Sequence, residues 1–134
     1  MNIRIAENHD AEVLCQYDKH IDKSELQYII SQNRVVIAEE NGIFIGWLRY
    51  SLFWDNTPFM NMVYILESYR GKGYGKQIVS YWEEQMRLLN YDCVMTSTAS
   101  NEYAQHFYVG LGYKTVGGFM FKDDPYEIIL IKEI

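Results

Sequence analysis

Arg70-Gly71-Lys72-Gly73-Tyr74-Gly75-Lys76 concentrates glycine and cationic charge in one short stretch. It follows the apolar run Met62-Val63-Tyr64-Ile65-Leu66, which reads as a buried strand. It precedes Ile78, Val79, Trp82, Met86 and Leu89, spaced as one face of a helix. Strand, glycine-rich turn and helix in that order make an anion site. The first turn of a helix leaves backbone N–H groups unpaired, and the helix dipole adds partial positive charge there. Glycine lets the backbone close around phosphate oxygens, and Arg70, Lys72 and Lys76 add whole charges.

Two phosphate fingerprints are excluded by spacing. A P-loop needs G-x-x-x-x-G-K-[ST]. Gly75-Lys76 has Arg70 at the first position and Gln77 at the last, so the pattern fails. A dinucleotide turn needs G-x-G-x-x-G, and after Gly71 and Gly73 the third position is Lys76.

The chain carries 12 basic and 18 acidic side chains in 134 residues, a net charge of −6. That length suits one compact domain, residues 1–134. The balance argues against nucleic acid as a partner and, with the local basic trio, for a small anionic ligand. Forty-nine per cent hydrophobic and 16% aromatic content supply a packed core. Cys15 and Cys93 form no metal or redox spacing and His9, His20 and His106 are scattered, so no metal is expected. No apolar run is long enough to span a bilayer, and the N-terminus lacks a long apolar leader. No membrane partner and a cytoplasmic location are the expectations.

The elements that must position the glycine turn follow from periodicity and caps. Ile3 to Ile5 suggests a first strand; Ala11 to Lys19 a helix with Val13, Leu14 and Tyr17 inward; Ser24 caps a second carrying Leu26, Ile29 and Ile30. Arg34 to Glu40 and Ile43 to Phe53 read as a hairpin about Asn41-Gly42. Trp54 to Pro58 is a loop, and a strand runs from about Phe59 to Leu66. The long helix reaches about Asn90. Cys93 to Ser97 is a strand, Asn101 to Val109 a helix closed by Gly110 or Gly112, and Tyr113 to Lys122 and Tyr126 to Lys132 a final hairpin. Hairpins mixed with parallel crossovers imply an α+β domain with a mixed sheet.

The spacing that does fit is Arg-x-x-Gly-x-Gly, on Arg70, Gly73 and Gly75. It resembles the acyl-CoA pyrophosphate loop of the GNAT superfamily of N-acetyltransferases. Val63 to Lys76 looks like that family's fourth strand and loop, with Glu67 where many members have proline. Downstream, Asn101-Glu102-Tyr103-Ala104-Gln105-His106-Phe107-Tyr108-Val109-Gly110-Leu111-Gly112-Tyr113 resembles the family's "N…A…FY…LGF" segment, with Tyr113 replacing phenylalanine. Two motifs in the right order, and a matching order of elements, cover nearly the whole chain.

The resemblance implies a GNAT-like fold: a mostly antiparallel sheet, about four helices, and fourth and fifth strands that splay to admit the pantetheine arm. It implies an acetyl-CoA-dependent transferase whose acceptor amine attacks the thioester directly through a tetrahedral intermediate. Main-chain amides of Arg70, Gly71, Lys72, Gly73, Tyr74, Gly75 and Lys76 would hold the pyrophosphate. The strand edge at Val63, Tyr64 and Ile65 would pair with the arm. Asn101 would bond the cosubstrate, or simply cap its helix. The Ile65 N–H would meet the oxyanion and Tyr108 would protonate the thiolate; the bland reading of Tyr108 is core packing beside Phe107. Glu67, Asp55 or a water chain would serve as base. The acceptor pocket would draw on the first two helices, the loop after the third strand and the final hairpin, with Tyr28, Tyr50, Trp54, Phe59 and Phe119 as lining. The resemblance admits a homodimer. An alternative from another class is an acyl-CoA-binding sensor or scaffold without turnover.

Overall fold

The computed structural model describes residues 1–134. Seven strands form one sheet in the order β1-β2-β3-β4-β5-β7-β6. They are β1 (Asn2–Ile5), β2 (Val35–Glu40), β3 (Ile43–Phe53), β4 (Thr57–Ile65), β5 (Cys93–Ala99), β6 (Lys114–Phe119) and β7 (Glu127–Glu133). The helices are α1 (Ala11–Tyr17), α2 (Lys23–Ser31), α3 (Tyr74–Leu88) and α4 (Ala104–Gly110). Every neighbouring pair is antiparallel except β4 and β5, which are parallel. This is the mixed α+β architecture that the order of elements implies.

Apolar groups bury on both faces of the sheet. Ile78, Val79, Trp82 and Met86 of α3 join Tyr108 of α4 over Val36, Leu48, Met60, Val94 and Leu130. Leu14 of α1 and Leu26, Ile29 and Ile30 of α2 cover Val35, Ile37 and Trp47 on the opposite face. Side chains alternate along a strand, so β2 feeds both cores and its apolar run is unbroken. No helix is long and apolar enough to cross a membrane.

Several boundaries differ from the sequence expectation. Helix α1 stops at Tyr17, short of Lys19, because Asp18 is extended and turns its carboxylate inward to Arg49. Trp54 to Pro58 is not an open loop. Trp54 and Asp55 both take left-handed φ, 55° and 64°, which closes a tight hairpin and starts β4 at Thr57. Helix α4 begins at Ala104, three residues after Asn101.

The parallel contact between β4 and β5 is short. Only Phe59 pairs with Met95 and Met60 with Thr96. Thr96 Oγ1 closes that ladder by donating to the Met60 carbonyl at 3.0 Å. The next residue, Asn61, is an extra one: Tyr50 faces Met60 while Arg49 faces Met62. A bulge bends its strand and ends local pairing. Beyond Asn61 the strands no longer pair, while β5 keeps its full ladder to β7. The slot opens there.

Candidate active site

A cleft of about 640 Å³ occupies the slot between β4, the glycine turn and α4. Its lining contains Val63, Tyr64, Ile65, Arg70, Gly71, Gly73, Tyr74, Gly75, Lys76 and Tyr108. Tyr69, Tyr103, Ala104 and Phe107 complete it. Lys72 and Asn101 are not part of the lining; the Lys72 ammonium lies 5.6 Å from the Tyr69 ring centroid. Asn101 is exposed and does not cap α4, whose preceding residue is Tyr103.

The glycines have local reasons to be glycine. Gly71 and Gly73 take φ of 78° and 80°, and a Cβ at either would meet nothing within 4 Å. Their faces are open, as a phosphate cradle requires. Gly73 precedes α3, so the N–H groups of Tyr74, Gly75 and Lys76 lack helical partners. Gly75 serves packing instead. A Cβ there would sit 3.4 Å from the Phe107 ring, so glycine lets α4 close on the start of α3. The Tyr74 hydroxyl donates to Glu40 and fixes that first turn to β2.

The β4 edge presents its main chain to the slot. Leu66 donates to the Ile45 carbonyl at 2.8 Å, so the alternation turns the Ile65 and Val63 amides away from β3. The Ile65 carbonyl is taken by Arg70 Nε at 2.8 Å. The same guanidinium lies 4.8 Å from the Tyr64 ring centroid, so Arg70 ties the turn to the strand that precedes it.

Tyr108 is 6% exposed and its ring packs on Phe107 and Tyr113. Burial pushes its hydroxyl above the usual phenol range; the Thr96 hydroxyl opposes this and the Glu102 charge adds to it. A raised pKa keeps Tyr108 protonated at neutral pH. Its neighbour Tyr113 donates to Glu83 at 2.8 Å, and Lys132 reaches the same carboxylate at 2.9 Å. That triad links α3, the segment after α4 and β7.

Tyr108, Val63 and Ala104 also line a second cavity of about 600 Å³. This one is polar, with His20, Arg49, Asn61, Ser97, Thr98, Glu102 and Glu127 around it. None of these stands out as a site residue in the sequence. Arg49 is the available signal: a lone charge inside the apolar strand Ile43–Phe53. It is buried, and its Nε donates to Asp18 Oδ2 at 2.7 Å. Burial alone would raise the Asp18 carboxyl, but Arg49, the His20 N–H and the Trp47 indole together hold it below the usual carboxylate range.

The aromatic residues expected around the acceptor do not line this cavity. Tyr50 is in the core against Trp82, Phe59 stacks on Phe53, and Tyr28, Trp54 and Phe119 are exposed elsewhere. The final hairpin contributes Glu127, but neither of the first two helices lines the cavity; His20 comes from the segment between them. Glu67 lies in the short turn after β4 and Asp55 at the β3–β4 turn; both are outside the two cavities. No cluster of three or more His, Cys, Asp or Glu side chains is placed to hold a metal.

The sequence model of the Acetyltransferase (GNAT) family matches residues 4–113. Solved structures with the same fold include Ard1 from Thermoplasma volcanium, with TM-score 0.85 at 13% identity, covering 99% of this chain and 97% of that one. A GNAT family acetyltransferase from Bacillus cereus aligns at TM-score 0.76 and 25% identity, over 98% and 96% of the two chains. The PaiA N-acetyltransferase of Thermoplasma acidophilum, solved with coenzyme A, aligns at TM-score 0.80 and 17% identity, over 99% and 98%. No curated protein matches.

Proposed function

This chain belongs to the GNAT acetyltransferase family, whose members carry out acyl transfer, and on that premise we propose that it moves the acetyl group of acetyl-CoA to a primary amine. The observation that carries the reading is the cleft itself. Open left-handed glycines, unpaired helix amides and an unpaired strand edge converge on it, and its end is closed by a buried, protonated tyrosine. Residues 1–134 act as one catalytic domain in this reading.

The residues present fit the cosubstrate. The amides from Gly71 to Lys76 hold the pyrophosphate, the Arg70 amide being already bonded to the Glu67 carbonyl, with Lys72 and Lys76 adding charge from outside and inside the cleft. The main chain at Val63 and Ile65 takes the pantetheine amides as an added strand would, while the Tyr64 amide turns to β3. Asn101, exposed three residues before α4, would contribute a side-chain amide. Of the two amides turned to the slot, that of Val63 lies at the wall shared with the polar cavity, so it, rather than the Ile65 N–H, faces the oxygen that gains charge as the amine attacks. A thiol of pKa about 8.5 leaves better when protonated, and Tyr108 is the acid. The polar cavity on the far side of Tyr108 admits the amine, a small molecule or a peptide end. The chain would work in the cytoplasm, alone or as a homodimer.

Calorimetry with acetyl-CoA, followed by thiol release in the presence of an amine panel, tests the reading. Binding with turnover on a primary amine supports it; binding without turnover on any amine favours a sensor or scaffold. Gly73→Asp should abolish binding, because a side chain, strained at this φ, and a negative charge would stand in the cradle. A folded Gly73→Asp protein that binds acetyl-CoA as well as wild type would contradict the placement.

A further inference from the structure

Attack on a thioester needs a neutral nitrogen, and a primary alkylamine of pKa near ~10.4 arrives protonated at neutral pH. A proton acceptor must stand where amine and thioester meet. In the proposed function that is the wall shared by the two cavities, made by Val63, Ala104 and Tyr108.

The ionisable groups facing the acceptor cavity are His20 before α2, Arg49 on β3, Glu102 before α4 and Glu127 on β7, with Asp18 behind Arg49. Asp18 is buried and already accepts from Arg49, Trp47 and the His20 N–H. Arg49 has no lone pair to offer. Glu127 sits beside Ala99 of β5 and Phe119 of β6, and also lines a small cavity under the hairpin tip with Phe121. His20, exposed as Glu102 is, has only its backbone tied, to Asp18. Glu102 differs from all of them. It stands two residues before Ala104, its carboxylate takes the Thr98 hydroxyl at 3.4 Å, and it is the one carboxylate whose charge is felt at the Tyr108 hydroxyl.

We propose that Glu102 is the catalytic residue that takes the proton from the acceptor, and that the acceptor is a primary amine entering as a cation. This rests on the acetyl-transfer reading above. Arg49 is already neutralised by Asp18, so Glu102 and Glu127 leave the cavity negative and attract such an ammonium group. The Glu102 carboxylate accepts one ammonium proton, and the freed nitrogen lone pair bonds the carbonyl carbon. The carbon–sulfur bond then breaks with its electron pair on sulfur. Tyr108 gives that sulfur a proton and regains one from the new amide nitrogen. Glu102, exposed at the cavity mouth, returns its proton to water.

The test is thiol release from acetyl-CoA with 1,4-diaminobutane, spermidine, tyramine and a lysine peptide, with glutamate as an anionic amine. At least one cationic amine should be a substrate. Glu102→Gln should lower kcat about thirtyfold or more, leave acetyl-CoA affinity within about twofold, and remove the acid limb of the kcat/KM profile. Glu102→Asp should retain that limb, and Glu127→Gln should raise KM while keeping it. A Glu102→Gln enzyme with the wild-type acid limb overturns the assignment. So does loss of the limb in His20→Gln, or a wild-type chain that binds acetyl-CoA yet transfers to glutamate alone or to no amine. A wild-type chain that does not bind acetyl-CoA overturns the transfer reading, and this assignment with it.

Discussion

Tyr108 is where two cavities and one core meet, and its surroundings decide what its hydroxyl can do. The phenol is held protonated by burial, borders the cleft and the polar cavity, and has no ion-pair partner of its own. Tyr108→Phe keeps the ring packing and removes only the proton. It should lower kcat by about tenfold or more while acetyl-CoA affinity, read by calorimetry, stays within about threefold. Unchanged kcat would remove Tyr108 from the acid role. Tyr108 is legible in the sequence because its motif spacing is local. Tyr113 shows there only as a departure from phenylalanine, and its purpose appears in space: its hydroxyl donates to Glu83 on α3, 30 residues away. Glu102 lies inside the same motif without standing out, since nothing in the sequence tells which carboxylate ends up beside Tyr108.

Strand β4 does more for the site than any other element, and its shape comes from two contacts. The bulge at Asn61 ends its pairing with β5, and Gly46 of β3 lets it pass close at the other end. A Cβ on Gly46 would lie 2.5 Å from the Tyr64 carbonyl. Gly46→Ala should therefore cost about 1–3 kcal/mol in urea unfolding, and by shifting Tyr64 and Ile65 it should also weaken acetyl-CoA binding. Wild-type stability and affinity together would show that β4 is not held by this contact. Helix α3 and the β2–β3 hairpin are readable because period and turn chemistry are written in consecutive residues. The bulge is not: Asn61 is one polar residue in an apolar run, and only its partners on β3 reveal it. The turn at Trp54 and Asp55 reads as a loop because neither residue signals a left-handed φ as glycine does.

The whole molecule is acidic, yet its fold keeps cations where carboxylates are buried. Asp10 is held below the usual carboxylate range chiefly by its hydrogen bonds from Arg4, and Asp18 by Arg49, the His20 N–H and Trp47 acting against burial. Both folded values lie under the unfolded value of about 3.9. Their stabilisation is thus complete above that pH and is lost as pH falls through the folded values. Unfolding free energy should be level near neutrality and drop steeply below about pH 4. Asp18→Asn should cost about 3 kcal/mol or more, because Arg49 would stay buried without its counter-charge, and it should flatten the acid slope. Asp18 and Arg49 lie 31 residues apart, so their ion-pairing is invisible in the sequence, whereas the order of elements around the glycine turn already implies a mixed α+β sheet. The most direct measurement of the central claim is a crystal structure with acetyl-CoA. The diphosphate should lie against the amides of Gly71 to Lys76, the arm along Val63 to Ile65 and the thioester beside Tyr108. Ligand bound away from that cleft, or the cleft left empty at saturating acetyl-CoA, would contradict it.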